Sequence, residues 1–104
     1  MSLKLTEICN RVATVEIMCR MGHYEGRPFT SIDVEAVTTD GAYILDGYNW
    51  RSFSVKHIDE AIRQFVDKNF VCDDYIITNK VSKMYFSDCA RVKYSFDLHT
   101  VEKL

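Results

Sequence analysis

The sequence predicts an α+β fold, in which a mostly antiparallel sheet or a partly open β-barrel packs against a helix. Apolar and polar residues alternate in several segments, one segment near position 60 repeats its apolar residues at helical spacing, and turn residues separate these segments. The chain has 104 residues, 47% of them hydrophobic, and a single proline. This length suits one domain over residues 1–104 with a core of its own.

The first predicted element is a short N-terminal helix over Lys4–Arg11. Four apolar residues fall on one face of it at helical spacing: Leu5, Ile8, Cys9 and Val12. From Ala13 the period changes to two and continues to Arg20, which predicts a half-buried strand.

The middle of the chain predicts two hairpins. Met21–Pro28 holds two glycines and the only proline, so we expect a loop that breaks the first strand and closes a hairpin. Residues 32–36 alternate again, and Thr39-Asp40-Gly41 supplies a tight turn into a strand over Tyr43–Tyr48. Asp46-Gly47 fits either a second turn or a bulge.

The clearest element is a helix over about residues 57–68. Its apolar residues recur at helical spacing: Ile58, Ala61, Ile62, Phe65 and Val66. A short alternating segment, Arg51–Val55, leads into this helix, and Asn69 can end it in the left-handed conformation. Beyond it we expect strands over Tyr75–Thr78, Val81–Phe86 and Arg91–Leu98, with an Asn79-Lys80 turn between the first two.

Composition excludes several classes of protein. With 13 basic and 15 acidic residues the net charge is -2, which excludes a strongly basic, non-specific nucleic-acid binder. No apolar run approaches the roughly 20 residues of a membrane span, and Glu7 stands where a signal peptide would be apolar. We therefore expect a cytoplasmic protein, with no membrane among its partners and with reduced thiols at its four widely spaced cysteines.

No motif in the chain indicates catalysis. Neither a nucleophile motif nor a glycine-rich phosphate loop occurs, and His57 lies in no recognisable catalytic pattern. Cys19 and His23 have ligand spacing, but a second close pair of metal ligands is missing. Asp73 and Asp74 are adjacent and would point to opposite faces of a strand. We expect a protein that is not an enzyme, with no metal site and no cofactor.

Charge is unevenly distributed along the chain. Residues 31–48 carry four acids and no base: Asp33, Glu35, Asp40 and Asp46. Residues 79–95 carry four bases and one acid, and Arg91 and Lys93 share one face of the last predicted strand. The basic segment suits a small phosphate-binding surface, and the acidic segment suits a protein partner. Both segments would equally suit the solvated faces of two hairpins.

Three segments between Ala13 and Ile58 resemble WYL-domain proteins. Arg51-Ser52-Phe53-Ser54-Val55-Lys56-His57-Ile58 is similar to that family's strand-to-helix signature, and Ala42–Tyr48 resembles its aromatic-rich strand. Arg27–Val34 resembles the strand before it. The resemblance implies a small Sm-like or SH3-like β-barrel that binds nucleic acid or nucleotide-type ligands. It implies ligand contacts from Arg51, Tyr48 and either Lys56 or His57.

The leading hypothesis is thus a regulatory binding module for a nucleotide or single-stranded nucleic acid. Its expected ligand-binding residues are Tyr48, Arg51, Lys56, His57, Arg91 and Lys93. The alternative is a protein-interaction module or small inhibitor that acts through the acidic hairpin or through an exposed strand edge. A homo-oligomer is a further expectation, because Arg91–Leu98 at the end of the chain could leave an unpaired edge.

Overall fold

Six antiparallel strands and one helix form the structure, a computed structural model that describes residues 6–8, 11–52, 54, 56–86 and 90–103. The strands are β1 (Thr6–Ile8), β2 (Ala13–Tyr24), β3 (Arg27–Thr38), β4 (Tyr43–Trp50), β5 (Asp74–Phe86) and β6 (Ala90–Lys103), and the helix is α1 (Lys56–Asn69). The sheet runs β4, β3, β2, β6, β5, with β1 continuing the line of β2 along β6. It is mostly β-structure, five strands wide and open, so the barrel alternative is wrong.

The β2–β3 hairpin is longer than the sequence suggested. Its strands pair from Ala13↔Thr38 to Tyr24↔Arg27, so only Glu25 and Gly26 form the turn. Both turn residues have positive φ, 52° and 77°, which is the backbone of a two-residue turn that matches strand twist. The predicted hairpin is present, but most of the predicted loop is strand.

The β3–β4 hairpin closes where the sequence predicts. Gly41 has a φ of 92°, and the Thr38 N–H donates to the Ala42 carbonyl over 2.9 Å. The register then runs unbroken from Val37↔Tyr43 to Thr30↔Trp50. Asp46-Gly47 is therefore neither a turn nor a bulge, but the middle of β4.

Helix α1 confirms the predicted helix. Its first turn is capped by Ser54, whose Oγ accepts a hydrogen bond from the Lys56 N–H over 3.1 Å. Its inward side chains are buried: His57, Ile58, Ala61, Ile62, Phe65 and Val66. The predicted strand before it is absent at Arg51, Ser52 and Ser54, while Phe53 and Val55 lie outside the described residues.

The predicted N-terminal helix over Lys4–Arg11 is wrong at its centre. Thr6–Ile8 is strand β1, which pairs with β6 from Thr6↔Lys103 to Ile8↔Val101. A three-residue strand has no periodicity of its own, because it exists only through its ladder with a distant strand. Lys4, Leu5 and Cys9 lie outside the described residues.

Strands β5 and β6 also differ from expectation. The proposed Asn79-Lys80 turn lies inside the continuous β5, where Asn79 has a φ of 55° and the register against β6 shifts between Thr78 and Val81. The structure therefore has a β-bulge there, which uses the same tolerance of asparagine for positive φ as a turn does. β6 pairs with neighbours on both sides, so Arg91–Leu98 is not an edge.

The core lies between α1 and one face of the sheet. Alternate residues of β2, β3 and β6 point into it, among them Ile17, Ile32 and Leu98, which are almost fully buried. Phe65 of α1 packs into the same cluster with 2% of its surface exposed. No helix in the described part of the chain is long and apolar enough to cross a membrane.

Replacing Phe65 by alanine should lower the free energy of unfolding by about 3–5 kcal/mol, because it removes the largest fully buried side chain and leaves a cavity. Urea denaturation measures the change. The exposed neighbour Gln64→Ala is the control and should change stability by less than about 0.5 kcal/mol. A Phe65→Ala loss as small as the control's would show that α1 does not hold the core.

Candidate functional site: the open face of the sheet

The face of the sheet opposite α1, here called the open face, carries most of the charged side chains of the central strands. Directly opposed residues of antiparallel strands point to the same side, so the register assigns the members of this face. They include Glu16, Met18 and Arg20 of β2, Asp33 and Glu35 of β3, Leu45 and Gly47 of β4, Arg91 and Lys93 of β6, and Val81 and Lys83 of β5.

Four cations form a basic patch at one end of this face: Arg20, Lys83, Arg91 and Lys93. Arg20 lies directly opposite Arg91, and Lys93 lies directly opposite Lys83. Hydrogen-bonded and non-hydrogen-bonded pairs alternate along β2 from the two-residue Glu25-Gly26 turn, and this alternation directs the backbone groups of Arg20 towards β3. Arg20 and Arg91 are therefore a non-hydrogen-bonded pair, the kind in which the two Cα atoms are closest, about 4.5 Å apart. Like charges are thus held side by side on three neighbouring strands.

Directly opposed like charges destabilise a sheet. Two ion pairs offset part of this cost: Arg20 lies 3.7 Å from Asp33, and Lys93 lies 3.6 Å from Glu16. Both distances exceed that of a good charged hydrogen bond, and all four side chains are substantially exposed. Arg20 and Lys93 are therefore only loosely paired and could also contact an anion.

The other half of the open face is acidic and contains a shallow depression. Glu16, Asp33 and Glu35 line it, Lys93 of the basic patch borders it, and its volume is about 600 Å³. Gly47 forms part of its floor because it has no side chain, and Leu45 stands at its rim with 64% of its surface exposed. The open face is therefore divided into a basic and an acidic half.

The structure brings together two of the predicted ligand-binding residues, Arg91 and Lys93. It adds Arg20 and Lys83, which the sequence analysis did not include among the site residues. Arg51 lies elsewhere, in a second depression of about 440 Å³ at the tip of the β2–β3 hairpin. Lys56 is exposed at the first turn of α1.

Tyr48 and His57, the remaining predicted ligand-binding residues, lie on the side of the sheet that α1 covers. The ring of His57 stacks on Trp50 with centroids 4.5 Å apart, and Tyr48 packs beside Trp50 against the core. Burial raises the pKa of Tyr48 above its ordinary value. These rings are core components and do not join the basic patch.

His57 also closes the loop between β4 and α1. Its Nδ1 lies 3.0 Å from Glu60 Oε2 and its Nε2 lies 2.9 Å from Ser52 Oγ. Since the carboxylate only accepts, Nδ1 donates to Glu60, and in the neutral ring Nε2 accepts from the serine. Serine, histidine and carboxylate are hydrogen-bonded in the same order as in the catalytic triad of a hydrolase. Here the three residues lie within nine positions of the chain, and their hydrogen bonds connect the β4–α1 loop to the helix.

The predicted acidic partner-binding residues do not form one surface. Asp33 and Glu35 lie on the open face, whereas Asp40 lies in the β3–β4 turn, where Thr38 Oγ1 donates to its carboxylate and lowers its pKa. Asp46 points to the opposite side, towards α1. There it accepts hydrogen bonds from Lys68 Nζ over 2.7 Å and Asn69 Nδ2 over 2.9 Å.

No group of three or more histidine, cysteine, aspartate or glutamate side chains is arranged to hold a metal ion within the described ranges. Comparison with protein-family models, with curated proteins and with solved structures returns no match for this chain. The functional assignment therefore depends on the geometry of the open face.

Removing the Tyr48 hydroxyl tests whether this side chain is buried in the core as the structure shows. Its hydroxyl is buried and has no hydrogen-bond partner among the described residues, which costs about 1–3 kcal/mol. Tyr48→Phe should therefore raise the free energy of unfolding by about 1 kcal/mol in urea denaturation. Tyr43→Phe, the control, removes an exposed hydroxyl that donates to Glu35 and should not stabilise. A loss of stability in Tyr48→Phe would mean that its hydroxyl has a partner.

Asp46 should make stability depend on pH. The hydrogen bond from Lys68 lowers the pKa of Asp46 below the ordinary 3.8, so its contribution is complete above about pH 4 and is lost as the pH falls through the lowered value. Asp46→Asn should cost about 1–2 kcal/mol at pH 7, with the difference from the parent narrowing below pH 4. Thermal unfolding from pH 2 to 7 measures it. A difference that stays constant over that range would contradict this role.

The exposed Asp67 provides the matched control for Asp46. It lies on the last turns of the same helix and pairs only loosely with Arg63, at 3.7 Å. Asp67→Asn should change the free energy of unfolding by less than about 0.5 kcal/mol.

Proposed function

We propose that this protein is a non-enzymatic binding module that holds single-stranded nucleic acid on the open face of its sheet. The observation that carries the proposal is the two pairs of opposed like charges in the basic patch, Arg20 with Arg91 and Lys83 with Lys93. This arrangement is unfavourable in the isolated protein and becomes favourable when phosphates lie between the cations.

The dimensions of the basic patch favour a chain of phosphates over a single one. It extends over β2, β6 and β5, which is about 10 Å at the usual spacing of strands. With one phosphate per about 3.4 Å in a stacked strand, that span meets about three phosphates. A mononucleotide would leave part of the patch without a counter-charge.

The protein's net charge limits the strength of this binding. The basic patch has four cations, but the whole protein carries a net charge of -2 and Glu16 and Asp33 border the patch, so the rest of the protein repels an anionic ligand. For a single strand the logarithm of the binding constant should fall with the logarithm of salt concentration at a slope of about -2, from roughly 0.7 for each of about three contacted phosphates. The module would therefore bind weakly and lose its ligand as salt rises.

The resemblance to WYL-domain proteins supports the same ligand class through different residues. It implies contacts from Arg51, Tyr48 and either Lys56 or His57, of which Arg51 and Lys56 are exposed away from the basic patch. The two residue sets can be separated by mutation.

The test is a fluorescence titration of a short single-stranded oligonucleotide at low and rising salt. The double variant Arg91→Thr with Lys93→Thr should bind at least about tenfold more weakly and show about half the salt slope, because two of the four cations are gone. Threonine is used since it retains strand propensity. The matched double variant Arg51→Ala with Lys56→Ala should bind like the parent.

Two outcomes would contradict the proposal. Absence of binding by the parent protein at low salt would remove nucleic acid as the ligand. A loss of affinity confined to the Arg51→Ala and Lys56→Ala protein would move the site to the depression beside Arg51 and the first turn of α1.

Stability provides a second, independent readout for the basic patch. Arg91→Thr relieves the repulsion from Arg20 and should raise the free energy of unfolding by about 0.2–1 kcal/mol while it weakens binding. Urea denaturation measures this in the absence of nucleic acid. A destabilised Arg91→Thr protein would mean that Arg91 is a structural residue and that the opposed charges do not indicate a binding site.

A further inference from the structure

The two edges of the sheet differ in how well they are protected against pairing with another strand. β5 has the bulge at Asn79 and carries Lys80 and Lys83, features that discourage edge-to-edge association. β4 has an unbroken register over its eight residues and contains no lysine, arginine or proline. Its Tyr43 and Leu45 are more than half exposed. β4 is thus a flat and partly apolar edge.

The hydrogen-bond pattern shows which groups β4 offers. Since the Thr38 N–H donates to the Ala42 carbonyl, the even-numbered residues of β4 direct their backbone groups towards β3. The odd-numbered residues direct theirs away from the sheet: Tyr43, Leu45, Gly47 and Asn49. The side chains of Tyr43, Leu45 and Asn49 lie on the open face, and all four residues are exposed. Within the described residues no strand pairs with this edge.

We propose that a second copy of this chain pairs with this edge, β4 against β4 and antiparallel, so that two sheets join into one that is ten strands wide. The outward-directed backbone groups of the two copies can form hydrogen bonds with each other only in registers that place an odd-numbered residue of one β4 opposite an odd-numbered residue of the other. Two such registers keep seven residues of each β4 paired, one centred on Asp46 and one centred on Gly47.

Packing on the open face selects the register centred on Asp46. It places Leu45 of each copy opposite Gly47 of the other, so that each exposed leucine enters the glycine end of the depression described above. The register centred on Gly47 would oppose two glycines and leave both depressions unfilled. β4 thus provides both the side chain that protrudes, Leu45, and the position that receives it, Gly47. An interface between identical copies requires this self-complementarity.

Charge at the axis is compatible with this register. The two Asp46 residues face one another on the α1 side, but each carboxylate already has the Lys68 ammonium at 2.7 Å in its own copy. The acids of the two open faces, Glu35 of one copy and Asp33 of the other, are separated by three strand spacings, about 14 Å, which exceeds the screening length at physiological salt.

The first experiment measures the mass of the full chain by light scattering after size-exclusion chromatography, from micromolar to near-millimolar concentration and without nucleic acid. We expect a mass near twice the 12.1 kDa of one chain at the upper concentrations. Leu45→Lys should remain a folded monomer throughout, with folding checked by circular dichroism. Val81→Lys is the matched control, since Val81 is as exposed as Leu45, at 65% against 64%, but lies on the protected β5 edge.

A second experiment tests the register. Under mild oxidation, an equimolar mixture of Leu45→Cys and Gly47→Cys proteins should form a disulfide between the two variants, because those positions oppose one another. Gly47 has room for the change, with 3.6 Å from a built Cβ to Asp33 Oδ1. Parent protein oxidised alone controls for the native cysteines.

Specific outcomes would overturn the proposal. A monomeric parent at every concentration, or a dimer that Val81→Lys disrupts and Leu45→Lys does not, removes β4 as the interface. Cross-linking of Gly47→Cys only with itself rejects the register centred on Asp46. None of these variants removes a residue of the basic patch and the mass is measured without nucleic acid, so failure here leaves the nucleic-acid proposal intact, and failure of that proposal leaves this one intact.

Discussion

A single helix of 14 residues covers one face of a sheet five strands wide, and this limit shapes the rest of the molecule. Because α1 shields only one face, the alternating residues of β2, β3 and β6 divide into a buried set such as Ile17 and an exposed charged set such as Glu16. Contacts at both ends hold α1 in place: His57 stacks on Trp50 near its start, and Lys68 pairs with Asp46 near its end. The open face is the face of the sheet that α1 leaves exposed, and the charged side chains of the central strands can therefore lie there.

Local pattern was sufficient to predict the elements whose stability is local. The amphipathic spacing of α1, the alternation of β2 and β6 and the Asp40-Gly41 turn all appear in the structure. Elements that depend on distant partners were misjudged. β1 exists only through β6, and Asn79 serves a bulge in β5 as readily as the turn that was expected. The edges of the sheet follow from strand order, which one sequence does not encode locally.

The residues of the candidate site also fall into those that local pattern predicts and those that depend on the pairing of distant strands. That Arg91 and Lys93 share a face follows from alternation within one strand, whereas Arg20 and Lys83 join them only through the pairing of separate strands. The orientation of β4 was ambiguous because Tyr43, Ile44 and Leu45 are all apolar, so the pattern could not show that Tyr48 points to α1. A charge pattern that opposes the stability of the sheet becomes visible only when the register is known, and the proposed binding surface is inferred from that pattern.

The bulge at Asn79 bears on how far an assembly of this chain can grow. If both edges of the sheet were flat, each copy could add a neighbour on either side, and the product would be an open-ended fibre of indefinite length. Asn79 makes β5 irregular, so within the described residues each copy has one flat edge, and two such edges exhaust one another when they meet. In the proposed assembly, one residue in the left-handed conformation would thus limit the number of copies to two, from the opposite side of the molecule.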